Sequence, residues 1–369
     1  MKVPFAMPIV NDEMIEAAAN ALRNERLLLG ESVFKFEEGF AKMCGTDHAI
    51  SLNSGTTAIQ LVLLAMGIKS GDKIVTQSAS FVATSNAFVP FGGVPVFSEI
   101  LEKEYTLDPE KLRLDEKTKA IIPVHLYGHP SRMDEINDAA RRAGNLLVVE
   151  DACQAHGASY KGKRAGNLAH AGCFSFYSTK NMTVGGDGGM VTTNDQRLAE
   201  LVKKLRNCGR NIKDGREDHD VIGYTARLNT VNAAIGLEQL KLLDGWNEKR
   251  RAAAKKYHSQ LSGVGDLRLP PQPSRDFSPV YHIYAVLTSR RDELKKFLDS
   301  KGVGTGVHYW KPIHLQPIYR QMFGFKDGML PITEKAFVEE LSLPMFADIT
   351  DDQIKHVCDS IKEFYGSQG

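Results

Sequence analysis

The sequence has few cysteines, little net charge and no long apolar run. Its 369 residues include only Cys44, Cys153, Cys173, Cys208 and Cys358, and none of these is spaced as Cys-x-x-Cys. An odd number without paired spacing argues against a disulfide framework or a structural zinc site, and it predicts a reducing, cytoplasmic location with no metal. The formal net charge of +1 gives no field that would favour nucleic acid.

The sequence also has no segment with the pattern of a membrane span. No apolar run approaches the ~18 residues of a membrane span, and residues 1–8 lack the apolar core of a signal peptide. The composition, 42% hydrophobic and 25% charged, is ordinary for a globular protein. We therefore expect a globular chain with neither a membrane nor a nucleic acid as partner.

Short apolar segments alternate with helical patterns in the first half of the chain. Several are apolar at consecutive positions, which is typical of strands covered by helices on both faces. The pattern predicts an α/β domain with a mainly parallel central sheet, whose ligands gather at the carboxyl ends of the strands. The predicted strands are Ala49–Leu52, Lys73–Thr76, Val94–Phe97, Ala120–Val124, Leu146–Val149, Gly172–Phe176 and Met190–Thr193.

The second half is predicted to be mostly helical. A long helix is expected over Ala233–Leu261, followed by a strand at Tyr281–Leu287 and a helix at Arg291–Lys301. These elements predict a smaller α+β domain. We therefore expect a large α/β domain at 1–245 and a small C-terminal domain at 246–369.

Lys180 lies between an apolar strand and a glycine-dense loop at 185–189. A lysine held in a partly dry pocket loses its proton more readily, and its amine can then attack a carbonyl to form a Schiff base. The alternative is an exposed loop lysine, the usual state of a long cationic side chain. Neighbouring motifs decide between the two.

The segment Asn53–Gln60 opens an apolar helix at a strand end. Free N–H groups and the helix dipole at such a point suit a phosphate, Gly55 permits close approach, and Thr56 adds a hydroxyl. The alternative is simple helix capping, with Thr57 and Gln60 as a capping box.

Two carboxylates, Glu150 and Asp151, end another apolar strand. An aspartate directed into a cleft would hold a protonated pyridine nitrogen, and Gln154 would reach a ring oxygen. Paired acids also suit a metal or acid–base chemistry, or they are ordinary turn residues. Ser175 offers a second phosphate contact.

These motifs together are the groups that pyridoxal 5'-phosphate requires: a phosphate site, a carboxylate and a lysine. A dinucleotide-binding dehydrogenase is the rival from the α/β pattern. It is disfavoured because no Gly-x-Gly-x-x-Gly follows the first strand.

A longer series of segments carries a family resemblance. They are Leu27–Gly30, Ser54–Ala58, Ser80–Thr84, Thr118–Gly128, Glu150–Gly157, Phe174–Asn181, Gly186–Gly189, Ala233–Leu237 and His308–Pro317. In this order they resemble the DegT/DnrJ/StrS nucleotide-sugar aminotransferases along nearly the whole chain. The resemblance implies the fold-type I aminotransferase architecture, pyridoxal 5'-phosphate as cofactor, and a homodimer with active sites at the subunit interface.

The same resemblance assigns roles to individual residues. Lys180 matches the Schiff-base lysine and Asp151 the partner of the pyridine nitrogen. Phe81 matches the aromatic residue stacked on the ring. The implied cofactor contacts are Gly55, Thr56, Phe81, Asp151, Gln154, Ser175 and Lys180, and the implied substrate contacts are His308, Tyr309 and His314.

The implied substrates are an amino-acid donor, L-glutamate, and a nucleoside-diphosphate keto-deoxysugar. The segment from His308 to Pro317 favours a 3-keto-6-deoxyhexose over a 4-keto sugar. Lysine at position 180, where a dehydrating branch of the family has histidine, favours amination. A cyclitol substrate and a non-catalytic regulator on the same fold stay open as alternatives.

The sequence departs from the family pattern at two positions. Asp187 stands where the family has glutamate, and Thr225 stands where it has an asparagine that reaches the cofactor phosphate of the neighbouring subunit. Thr225 is shorter than asparagine. Asn229, one helical turn later, is the alternative donor for that contact.

Overall fold

The computed structural model describes residues 1–213 and 215–366. Its strands are β1 (His48–Leu52), β2 (Lys73–Gln77), β3 (Val94–Ser98), β4 (Thr118–Ile122), β5 (Leu147–Asp151), β6 (Ser159–Tyr160), β7 (Lys163–Arg164), β8 (Ala171–Ser175), β9 (Gly189–Thr193), β10 (Arg210–Lys213), β11 (Arg216–His219), β12 (Phe277–Ser278), β13 (Tyr284–Leu287) and β14 (Glu340–Leu343). Its helices are α1 (Asp12–Asn24), α2 (Glu31–Cys44), α3 (Gly55–Ala65), α4 (Ala83–Asn86), α5 (Met133–Arg142), α6 (Gln196–Leu205), α7 (Thr230–Leu261), α8 (Arg291–Ser300), α9 (Pro317–Phe323), α10 (Pro331–Glu339) and α11 (Asp351–Gly366).

Seven strands form the central sheet, in the order β1-β9-β8-β5-β4-β2-β3. The four pairs from β8 to β3 are parallel, and β9 runs antiparallel to both its neighbours, β1 and β8. The predicted α/β class and mainly parallel sheet are confirmed, and each predicted strand overlaps an observed one. Because β1, β5 and β8 point the same way, their carboxyl ends meet at one edge of the sheet.

The consecutive apolar residues of the strands have a simple explanation. Ile74 and Val149 pack on one face of the sheet with α3 and α6, whereas Val75 and Val148 pack on the other face with α5. Alternate strand residues point to opposite faces, so a strand covered on both sides needs apolar residues at every position.

The same alternation separates the two carboxylates that end β5. Glu150 is fully buried and accepts hydrogen bonds from the backbone N–H groups of Gly166 (2.7 Å), Leu168 (2.7 Å) and Ala169 (3.1 Å). The Nε2 of His125 lies 3.0 Å from the same carboxylate. Glu150 therefore holds a loop in place, and Asp151 alone faces the carboxyl edge of the sheet.

The C-terminal part has its own apolar core. Strands β13 and β14 pair antiparallel and pack with α8, α11 and the second half of α7, together with Val3 from the N-terminus. The boundary predicted between 245 and 246 falls inside α7, which is one continuous helix through both parts. The guanidinium of Arg250, buried in α7, donates to the carbonyls of Tyr281 (3.1 Å) and Met345 (3.2 Å) and ties the helix to this part.

Two local features differ from the sequence expectations. Ser54 caps α3, since its hydroxyl accepts from the N–H of Thr57 at 3.1 Å; the proposed capping box of Thr57 and Gln60 is therefore wrong. A charged hairpin, β10 and β11, interrupts a region that was expected to be helical. Among the described residues, the helices are too short or too polar to cross a membrane.

The buried role of Glu150 yields a stability prediction. Glu150→Ala should lower the free energy of unfolding by about 3 kcal/mol or more, because it leaves several buried N–H donors without an acceptor. The measurement is the apparent melting temperature in a calorimetric scan. Glu116→Ala, at an exposed glutamate, is the control and should leave it unchanged. Equal melting temperatures for the two variants would contradict the role assigned to Glu150.

Candidate active site

A cleft of about 290 Å³ opens at the carboxyl edge of the central sheet. The ends of β5 and β8, the start of α3 and the segment 308–309 border it. Every residue predicted to contact the cofactor lines this cleft: Gly55, Thr56, Phe81, Asp151, Gln154, Ser175 and Lys180. The predicted substrate residues His308 and Tyr309 line it as well.

The start of α3 is pressed against the ends of β5 and β8. A Cβ atom at Gly55 would lie 2.7 Å from the Sγ of Cys153 and 2.8 Å from the Cβ of Ser175, so only glycine fits there. The first N–H groups of a helix have no partner within the helix and carry its positive dipole end. The close approach therefore directs these donors and the Ser175 hydroxyl into one small anion site.

Asp151 is nearly buried and is held by two hydrogen bonds. Its Oδ2 accepts from the Thr84 hydroxyl at 2.7 Å and its Oδ1 from the N–H of Cys153 at 3.2 Å. The Ser80 hydroxyl, 2.7 Å from that of Thr84, completes the chain by donating to it. These contacts fix the carboxylate in one orientation toward the cleft.

Lys180 is half-buried in the turn after β8 and lines the same cleft. Burial lowers the pKa of its amine, an effect opposed by nearby Cys153 and Asp151. A lowered pKa increases the share of neutral amine, which is the nucleophilic form. The alternative of a freely exposed loop lysine is excluded by this position.

Gln154 links the cleft floor to the substrate side. Its Oε1 accepts from the N–H of Tyr127 at 2.7 Å, and its Nε2 donates to the hydroxyl of Tyr309 at 3.2 Å. The rings of Tyr309 and Phe81 lie 5.5 Å apart and form an aromatic wall. Phe81 is 53% exposed, which leaves its ring available to a planar ligand.

His308 and His314 are placed differently. The ring of His308 borders the cleft, and burial together with Lys180 lowers its pKa to about 4. His314 is not among the residues that line the cleft; its Nδ1 lies 2.7 Å from the Ser78 hydroxyl and its Nε2 3.1 Å from Glu334. His314 thus anchors the segment around residues 313–315 to the end of β2.

One polar group at the cleft was missed in the sequence. His282 lines it, and its Nδ1 donates to the Oδ1 of Asn181 at 3.2 Å. The amide of Asn181 in turn donates to Asn247 (2.9 Å) and to the carbonyl of Val280 (3.1 Å). In the sequence, Asn181 stands next to Lys180, but no local pattern marks His282 as a functional residue. His282 precedes β13 and lies more than a hundred residues after Lys180 in the chain.

The two departures from the family pattern are also located. Asp187 lines the cleft. Thr225 is exposed, with its hydroxyl 3.3 Å from the sulfur of Cys208, and it does not line the cleft of its own chain. The Oδ1 of Asn229 caps α7 by accepting from the N–H of Asn232 at 2.8 Å.

Among the described residues, no group of three or more histidine, cysteine, aspartate or glutamate side chains is arranged to hold a metal ion. The donors of this cleft suit an organic cofactor instead. An anion site closed by Gly55, a fixed carboxylate and a lysine of lowered pKa fit the phosphate, the ring nitrogen and the carbonyl carbon of pyridoxal 5'-phosphate.

Known proteins with similar sequences and structures agree with this fit. Residues 8–362 match the DegT/DnrJ/EryC1/StrS aminotransferase family. The chain is 40% identical over 371 residues to dTDP-3-amino-3,4,6-trideoxy-alpha-D-glucose transaminase of Streptomyces venezuelae, covering 98% of this chain and 96% of that protein. It is 40% identical over 356 residues to the pleiotropic regulatory protein of Geobacillus stearothermophilus, covering 96% of this chain and 94% of that protein.

The fold is shared as well. A crystal structure of DesV from S. venezuelae superposes with a TM-score of 0.92 at 40% identity, over 96% of this chain and 94% of that one. The match extends through both parts of the molecule and includes the central sheet that carries the cleft. The chain therefore belongs to the DegT/DnrJ/EryC1/StrS aminotransferase family and is a pyridoxal-phosphate-dependent aminotransferase.

Proposed function

We propose that the protein transfers an amino group from L-glutamate to the keto group of a nucleoside-diphosphate keto-deoxysugar. The proposal rests mainly on the position of Lys180, an amine of lowered pKa in the same cleft as Asp151, with His308 and Tyr309 on the open side. The S. venezuelae relative, named for an amino group at carbon 3, supports a 3-keto-6-deoxyhexose as acceptor over a 4-keto sugar or a cyclitol.

In this proposal each residue of the cleft has a binding role. The N–H groups at the start of α3, with Gly55, Thr56 and the Ser175 hydroxyl, hold the cofactor phosphate. Asp151 holds a proton on the ring nitrogen, and Gln154 contacts the ring hydroxyl. When bound, the cofactor supplies an electron sink for negative charge at the carbon that carries the amino group.

The proton transfers belong to Lys180. Its Nζ takes a proton from the α-carbon of the amino-acid donor and later returns one to the sugar carbon. Burial favours the neutral amine that this base requires. The rings of Phe81 and Tyr309, 5.5 Å apart, cover one side of the site and limit the access of water. The two substrates therefore exchange protons, one after the other, with the same amine.

We further propose a cytoplasmic homodimer in which each site is completed by the partner subunit. The five cysteines are free, as in a reducing compartment. Leu27 and Leu28 are 56% and 45% exposed, and Leu28 forms an isolated bridge with Asn229, four residues after the exposed Thr225. Contiguous exposed apolar residues are typical of interaction surfaces, and Thr225 lies exposed where a neighbouring subunit could contact it.

Replacement of Lys180 tests the chemistry. Lys180→Ala should lower amino transfer by about 10³-fold or more, since it removes the base, and borohydride should no longer attach cofactor covalently to the protein. Activity is measured by keto-acid release and attachment by mass spectrometry. Lys163→Ala, at an exposed lysine, is the control. Turnover by Lys180→Ala near the wild-type rate would rule out the assignment.

A substrate panel tests the acceptor. Protein charged with amino groups by L-glutamate is mixed with 3-keto or 4-keto nucleotide sugars, and the aminated sugar is measured by mass spectrometry. We expect the 3-keto-6-deoxyhexose to react faster. Exclusive reaction of the 4-keto sugar would overturn the proposed position, and reaction of neither class would overturn the proposed substrate.

The substitution Thr225→Asn tests the contact between subunits. If residue 225 faces the phosphate site of the partner subunit, the longer amide adds one hydrogen bond and should tighten cofactor binding about five-fold. The measurement is titration of the apoprotein with pyridoxal 5'-phosphate. Asn229→Ala is the comparison: because Asn229 caps α7, it should lower stability by about 1 kcal/mol. Loss of cofactor affinity only in Asn229→Ala would assign the contact to Asn229.

A further inference from the structure

A carboxylate and a hydroxyl lie buried beneath the substrate side of the cleft. Glu340 and Ser342 are two residues apart on β14 and therefore point to the same face, and they are 1% and 0% exposed. Leu341 and Leu343, on the other face, belong to the core of the C-terminal part. A carboxylate at such a position costs free energy unless it is hydrogen-bonded.

Both groups are bonded to His308. Glu340 Oε2 accepts from the backbone N–H of His308 at 2.6 Å, and its Oε1 accepts a short hydrogen bond from the Ser342 hydroxyl. The Ser342 Oγ lies 2.9 Å from the Nδ1 of His308. Two backbone hydrogen bonds between Gly306 and Ser342, of 3.0 and 2.9 Å, fix the segment of His308 against β14.

The proton positions along this chain follow from counting donors. The Ser342 hydroxyl has one hydrogen, which it donates to the ionised Glu340. Its oxygen must then accept from His308, so Nδ1 carries the ring hydrogen. A neutral imidazole has only one N–H, and Nε2 is therefore bare. No hydrogen bond to this nitrogen is formed within residues 1–213 and 215–366.

We propose that Glu340, acting through Ser342, fixes the ring proton of His308 on Nδ1 and so presents Nε2 as a hydrogen-bond acceptor to a hydroxyl group of the sugar. This inference rests on the proposed sugar substrate. A nitrogen without a hydrogen accepts a hydrogen bond from a hydroxyl group. It cannot bond a keto oxygen, because both atoms are acceptors and their lone pairs repel each other. His308 thereby favours the sugar orientation that leaves the keto carbon for Lys180.

The environment of Glu340 makes the hydrogen-bond chain of Glu340, Ser342 and His308 sensitive to pH. Burial raises the pKa of Glu340 to about 7, opposed by the Ser342 hydroxyl, the His308 N–H and the charge of Arg291 on α8. The tyrosines that face it, Tyr105, Tyr127 and Tyr309, have pKa values raised by burial and stay neutral.

His308 itself does not titrate in this range, since its pKa is lowered to about 4. Below the pKa of Glu340, the protonated carboxyl donates to Ser342, and Ser342 donates to Nδ1 of His308. The single ring proton then lies on Nε2. A sugar hydroxyl loses its acceptor, so the KM for the sugar should rise about five-fold as the pH falls through 7.

Three variants separate this role from a packing role. Glu340→Gln keeps the size of the side chain but points an amide N–H₂ at Ser342, which holds the chain in its reversed form at every pH. Ser342→Ala breaks the chain, and Ser342→Thr retains the hydroxyl. Ser360→Ala, at a buried serine of α11 whose hydroxyl donates to the His356 carbonyl, is the matched control. Circular dichroism and thermal unfolding identify any variant that fails to fold.

The direct readout is ¹⁵N NMR of histidine-labelled holoprotein, which distinguishes the two ring tautomers without turnover. The signals of His308 are assigned by their loss in His308→Gln. Above pH 7 we expect the Nδ1–H form in the wild type, Ser342→Thr and Ser360→Ala, and the Nε2–H form in Glu340→Gln. An Nε2–H form in the wild type above pH 7, or an unchanged tautomer in Glu340→Gln, would overturn the proposal.

Kinetics give the second readout. The KM for the keto sugar should rise about five-fold between one unit above and one unit below pH 7 in the wild type, Ser342→Thr and Ser360→Ala. In Glu340→Gln and Ser342→Ala it should be raised throughout and lose that dependence. If both variants kept the wild-type pH dependence of KM, the role proposed for Glu340 and Ser342 would be refuted. If no keto sugar reacts with the wild type, the proposed function fails, and the NMR result still decides the inference.

Discussion

The close approach at Gly55 is the contact on which the rest of the site depends. The first turn of α3 lies against Cys153 and Ser175, so tightly that no side chain fits. This contact brings the start of a helix, the end of β5 and the end of β8 to one point of the sheet edge. Any residue larger than glycine would push the anion site away from Asp151 and Lys180, and the three groups could no longer hold one ligand.

Burial gives the cleft its second property, which is a set of nitrogen bases with lowered pKa values. Desolvation lowers the pKa of Lys180, His282 and His308 together, and the charge of Lys180 adds to the effect on both histidines. The two histidines are held by different hydrogen-bond chains: Asn181 supports His282, and Ser342 supports His308. The scaffold thus decides both where a proton lies and which group can accept one.

Much of this arrangement could be predicted from local patterns. The strands of the central sheet are short and apolar on both faces, and ligands of a parallel sheet gather at the carboxyl ends of its strands, so both the sheet and its functional edge could be anticipated. The pairing of Glu150 with Asp151 could not be interpreted so easily, because an adjacent pair suggests shared chemistry. Strand alternation instead sends Glu150 into the core and Asp151 to the cleft.

By itself the sequence determined the fold class and which short segments line the cleft, because the residue types of these segments are set by local backbone and ligand chemistry. Only the tertiary structure decided the substrate side. It placed His314 at the end of β2, brought His282 to the cleft, and placed the buried Glu340–Ser342 pair against His308. Those contacts join residues far apart in the chain, and no local pattern records which distant side chains will share a hydrogen bond.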